Sequence, residues 1–108
     1  MKGVLVMSEF YLKAAGVTFN GRQRVIARLH VGDVLCFKPD PHNPYDPCAV
    51  RILTASGEEV GFIPKAYNQQ IFQNLMDHRG TYSVTVSNVT GGGFDTNYGV
   101  NMRVVYNV

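Results

Sequence analysis

Asp40, Asn43 and Asp46 place three hard-oxygen side chains at three-residue intervals within Asp40-Pro41-His42-Asn43-Pro44-Tyr45-Asp46-Pro47. Such a pattern could hold Ca²⁺ or Mg²⁺, but the inner glycine and the closing bidentate glutamate of a helix-flanked calcium loop are missing, so no metal is expected. Enzyme chemistry finds less support. His30, His42 and His78 are scattered, His42 and Cys48 are neighbours by sequence alone, and there is no Ser-His-Asp set, paired carboxylates or His-Glu-x-x-His run. Thr90-Gly91-Gly92-Gly93-Phe94-Asp95-Thr96-Asn97 is rich in glycine. Glycines that cradle phosphate normally open a helix, and here a strand follows, so this segment is expected to be a hairpin loop. The remaining candidates are a ring, an amide and a carboxylate on one loop: Tyr45, Asn43 and Asp46.

Pro41, Pro44 and Pro47 each fix φ and restrict the residue before them to extended geometry, so the loop is stiff and cannot be helical. It lies between Val34-Leu35-Cys36-Phe37 and Cys48 to Leu53, both of which read as strands. A flexible polar loop would separate two strands equally well, so the restricted composition implies that the three side chains are aimed. Upstream, Phe10 to Thr18 reads as a strand closing on Phe19-Asn20-Gly21, and Val25, Ile26 and Leu29 give Arg22 to Leu29 helical spacing with Arg22, Arg24 and Arg28 in water. Downstream, Ala55-Ser56-Gly57-Glu58 turns the chain into Val60-Gly61-Phe62-Ile63. Pro64-Lys65 opens a helix through about Asp77, with Tyr67, Ile71, Phe72, Leu75 and Met76 as its apolar stripe. Tyr82, Val84 and Val86, then Tyr98, Val100, Met102, Val104 and Tyr106, alternate with polar positions as half-wet strands.

The 108 residues fit one domain, with residues 1–9 as an extension or a first short strand. Ten Lys and Arg against eight Asp and Glu leave a net charge of +2. A protein that coats nucleic acid through phosphates alone needs a denser basic surface, so any such site is local. Cys36 and Cys48 provide neither a disulfide framework nor a metal quartet and are expected to be small buried residues. The apolar run Val4 to Met7 is too short for a secretory core or a membrane span, which makes the cytoplasm the expected location.

About six short strands, two short helices and no βαβ alternation predict a mainly β protein built as an OB-like small barrel. Three segments, in order, resemble the HIRAN domain family: Ala15-Gly16-Val17-Thr18-Phe19-Asn20-Gly21-Arg22-Gln23, the block Asp40 to Val50, and Val60-Gly61-Phe62-Ile63-Pro64-Lys65. The resemblance implies a modified OB-like barrel of the stand-alone bacterial or phage type. It also implies a DNA-binding module like the N-terminal domain of helicase-like transcription factor, which grips the free 3′-OH end of single-stranded DNA in fork processing. Repair or replication, with a helicase or nuclease as partner, is the implied setting.

Carried over position by position, the resemblance puts Tyr45 and Asp46 at the DNA end, Asn43 beside them and Lys65 on phosphate, joined by Lys38 or Arg22. A tyrosine face stacks a terminal base, and a carboxylate repels phosphate but accepts a hydrogen bond from a hydroxyl. The family's animal member has Arg-Tyr-Tyr on the first strand, where this chain has Leu12-Lys13-Ala14, and a histidine where this chain has Phe62. Lys13 would then supply charge and Phe94 a substitute ring. Two other arrangements compete. In one, Asn43 and Asp46 only cap local backbone amides while Tyr45 packs inward. In the other, the chain is a protein-interaction or self-association module working through Tyr45, Phe19 or a barrel edge.

Overall fold

Alternation decides which side of each strand is buried. In the computed structural model, which describes residues 7–108, the chain runs β1 (Met7–Lys13), α1 (Arg22–Ile26), β2 (Val34–Pro39), β3 (Val50–Thr54), β4 (Glu59–Phe62), α2 (Lys65–Met76), β5 (Thr81–Thr90) and β6 (Gly99–Asn107). The strands form one antiparallel sheet in the order β1-β6-β5-β2-β3-β4. Its inner face carries Leu12, Leu35, Val50, Ile52, Val84, Val86, Met102 and Val104, and Ile26 of α1 and Ile71 of α2 complete the core. The sheet is mostly β structure curled into a half-barrel, in keeping with an OB-like fold.

Beyond Lys13 the curl closes at one point, where Ala15 and Phe62 exchange backbone hydrogen bonds of 2.8 and 2.9 Å. Gly61 permits this approach, since a Cβ there would collide with the Ala15 carbonyl oxygen. Farther along β1 no strand pairs with its outer edge among the described residues, and α2 packs against β2 and β3 instead. Among the described residues the half-barrel therefore stays open between β1 and α2. Among the described residues no helix is long and apolar enough to cross a membrane.

Several expectations change. The strand expected over residues 10–18 starts at Met7 and stops at Lys13, followed by an isolated bridge at Ala15 and a left-handed Gly16 at φ 65°. Residues 7–9 thus belong to β1, whereas residues 1–6, including most of the short apolar run, lie outside the described part. The first helix is only five residues long. Arg24 and Arg28 are exposed as expected, but Arg22 is buried. Cys36 is exposed because strand alternation turns Leu35 and Phe37 inward, and Cys48 is half-buried. On α2, Tyr67 and Met76 face solvent, while Asn68 and Asn74 take buried places beside Ile71.

Candidate nucleic-acid interface

The proline loop is held by its own side chains. Asn43 Oδ1 accepts the amides of Tyr45 at 2.9 Å and Asp46 at 3.1 Å, an Asx-type arrangement that fixes the turn. Asn43 Nδ2 donates to Asp40 Oδ2 at 3.1 Å, and Arg51 Nε donates to the same oxygen at 3.3 Å. The base is closed by the Asp40 amide on the Ala49 carbonyl at 2.8 Å. Asp46 Oδ1 accepts the Cys48 amide at 2.9 Å, and Oδ2 accepts Nδ2 of buried Asn68 at 2.8 Å, which ties the loop to α2.

Those bonds shape the charges. The Cys48 amide, then Asn68 and the nearby Lys65 cation, hold the Asp46 carboxyl below its ordinary range. The Asn43 amide, followed by Arg51 and His42, does the same to Asp40. Both acids are anionic at neutral pH. Asp46 uses two of the roughly four lone-pair directions that a carboxylate offers, so acceptor capacity remains.

Tyr45 takes no part in this bracing through its ring, which is 91% exposed. The loop therefore takes only half of the capping arrangement: Asn43 and Asp46 cap backbone amides, but Tyr45 does not pack inward. Lys65 is exposed at the start of α2, three residues from Asn68. Lys38 is exposed on β2, paired in register with Arg51, just before the loop. Neither lysine, nor Lys13, is in an ion pair among the described residues.

Arg22 does not join them. It is 4% exposed, and its guanidinium donates to the Gly16 carbonyl at 2.7 Å and to Glu59 at 2.8 Å while lying 5.0 Å from the Phe62 ring centroid. Its charge is committed to the barrel closure, and Phe62 serves as its platform. Leu12 and Ala14 point into the core, so on this part of the chain only Lys13 faces out. The end of the Lys13 side chain lies over Gly99, just past the glycine-rich loop. Phe94 rides on that loop, 85% exposed. No hydrogen bond joins the loop to the proline segment among the described residues.

Sequence reasoning missed Asn68 and Arg51. Asn68 could have been found, because it falls on the buried stripe of α2 three and four residues before Ile71 and Phe72. A polar residue on an apolar stripe calls for a partner, and the partner is Asp46. Arg51, which also reaches Glu59 at 3.6 Å, gives no signal distinct from an ordinary exposed strand residue.

The HIRAN domain family model matches residues 7–108. The chain belongs to the HIRAN domain family. The crystal structure of the HIRAN domain of human HLTF superposes with a TM-score of 0.75 at 16% identity, covering 99% of this chain and 82% of that one. A crystal structure of a protein from Lactobacillus plantarum superposes with a TM-score of 0.69 at 16% identity, covering 95% of this chain and 99% of that one. No curated protein matches the sequence. At that identity the two structures establish the shared OB-like HIRAN fold.

Proposed function

We propose that this chain is a DNA-binding module, without catalytic activity of its own, that holds single-stranded DNA by its free 3′-OH end. Membership of the HIRAN family supports the general role. One observation carries the specific reading: a loop braced by its own hydrogen bonds holds Tyr45 with its ring almost wholly in solvent, beside the Asp46 carboxylate. The ring stacks on the terminal base whatever its identity. Asp46 receives the terminal hydroxyl and repels a 3′-phosphate. Lys65, Lys38 and Lys13 neutralise the phosphates that follow, and Phe94 adds a second ring. Arg22 and Phe62 support the site without touching DNA. DNA repair or fork processing in the cytoplasm, in concert with a helicase or nuclease, is the setting we infer.

Fluorescence anisotropy of labelled single strands, at two salt concentrations, tests this reading. Binding should fall steeply as salt rises, as counterion release requires, and Tyr45→Ala should remove most of it. A protein-interaction role draws on the exposure of Phe19, at 64%, and on the outer edge of β1, which is unpaired among the described residues. It predicts salt-insensitive association and no strand binding.

A further inference from the structure

The opening between β1 and α2 is a groove of about 1430 Å³ that runs from Lys13 and Pro64 to Arg79 and Val108. We infer that a single DNA strand entering the terminus site continues along this groove, so that the footprint extends well beyond the terminal nucleotides. The inference rests on the function proposed above.

Three features point to a polynucleotide as the occupant. The first is charge. The groove carries a cation at each end, Lys13 and Arg79, and among the described residues no Asp or Glu lines it. Neither cation is in an ion pair among the described residues; Glu9 of β1 is paired with Arg103 at 2.7 Å and also accepts the Tyr11 hydroxyl at 3.4 Å. The second is the type of wall. Tyr11 of β1 and Tyr67 of α2 line the groove with rings that are 60% and 59% exposed, and neither is required by the core. Exposed rings flanked by cations suit stacked bases joined by phosphates. The third is the amide row on α2. Gln70 and Gln73 line the groove; each donates one amide hydrogen within the helix region, to Asn74 Oδ1 at 3.1 Å and Asp77 Oδ2 at 3.0 Å, and keeps its second hydrogen and its carbonyl oxygen for base edges.

The far end is built to stay in place. The Arg79 carbonyl accepts the Tyr106 hydroxyl at 2.9 Å, and the Arg79 amide donates to the Asn74 carbonyl at 2.9 Å. The Arg79 backbone is therefore pinned even though the residue is exposed just past the end of α2. The twelve residues of α2 span about 18 Å at the usual helical rise, so the track can accommodate several nucleotides.

Binding of labelled oligodeoxythymidylates ending in 3′-OH, about 3 and about 10 nucleotides long, should be compared for the unmodified protein, Tyr45→Ala, Tyr67→Ala and Arg79→Ala. The longer strand should bind about tenfold more tightly to the unmodified protein. Tyr67→Ala and Arg79→Ala should abolish that gain and leave the short strand unaffected, whereas Tyr45→Ala should weaken both. Thermal melts of Tyr67→Ala and Arg79→Ala, both altered at exposed positions, should match the unmodified protein. Equal affinity for both lengths overturns the extended track and leaves the end-binding function intact. So does equal loss for both lengths in Tyr67→Ala, or a second copy of the chain that closes the groove and is not displaced by the longer strand. Failure of either strand to bind overturns the function itself.

Discussion

Replacing Asp46 with alanine should unfasten the proline loop and lower the stability of the whole domain. The carboxylate accepts the Cys48 amide at 2.9 Å and Asn68 Nδ2 at 2.8 Å. Each is a charge-assisted bond with a net value of about 1.5–3 kcal/mol when buried. Asp46 is half-exposed, which argues for the lower figure in each case. Asn68 is 3% exposed, however, and would keep an unpartnered amide inside the protein. The two bonds together therefore represent about 3 kcal/mol, which for a domain of this size lowers the melting temperature by roughly 12–24 °C. Denaturant titration followed by circular dichroism should show an earlier midpoint with an unchanged slope. Tyr45→Ala removes a ring that touches little and should stay within about 0.5 kcal/mol of the unmodified protein. An Asp46→Ala protein that melts with the unmodified one would refute the view that this residue fastens the loop to α2.

Acid should reproduce part of that loss. Asp40 and Asp46 both have carboxyls held below the ordinary value, so their contribution is complete above about pH 4 and disappears as pH falls through their folded values. Denaturation midpoints measured downward from neutrality should decline below about pH 4, and the decline should be shallower in Asp46→Ala. Gly61→Ala drives a Cβ into the Ala15 carbonyl and should open the barrel closure, at a cost of about 2 kcal/mol or more. Hydrogen exchange at the Ala15 and Phe62 amides should accelerate before that of the β5 and β6 amides. Arg22→Gln should destabilise the protein, because it breaks a buried pairing with Glu59 and the Gly16 carbonyl, yet leave the salt dependence of DNA binding unchanged. Lys65→Gln should have the opposite profile, with unaltered stability and a salt slope reduced by about one.

The strands were legible because their alternation is clean. Tyr82, Val84 and Val86 in β5 and Val100, Met102 and Val104 in β6 all point inward as their period of two requires. The hairpin at Ala55 to Glu58 and the stop of α2 before Gly80 follow from local turn chemistry in the same way. The prolines and Asx residues also made the stiffness of the central loop readable. The destination of long polar side chains was not readable. Arg22 sits on a polar-looking helix face and becomes buried only because the Ala15–Phe62 bridge brings Glu59, Phe62 and the Gly16 carbonyl around it. Asp46 meets Asn68 twenty-two residues away for a similar reason, since the fold brings α2 back over the loop. The groove between β1 and α2 was equally invisible, because it results from two elements failing to meet.

The most direct test compares the unmodified protein's affinity for two single strands identical except at the 3′ terminus, one ending in a hydroxyl and the other in a phosphate. With Asp46 anionic beside the terminus, the hydroxyl-ended strand should bind at least about tenfold more tightly, a difference of about 1.4 kcal/mol. Equal affinity, or a preference for the phosphate, would contradict the claim that this corner of the barrel grips the end of a strand.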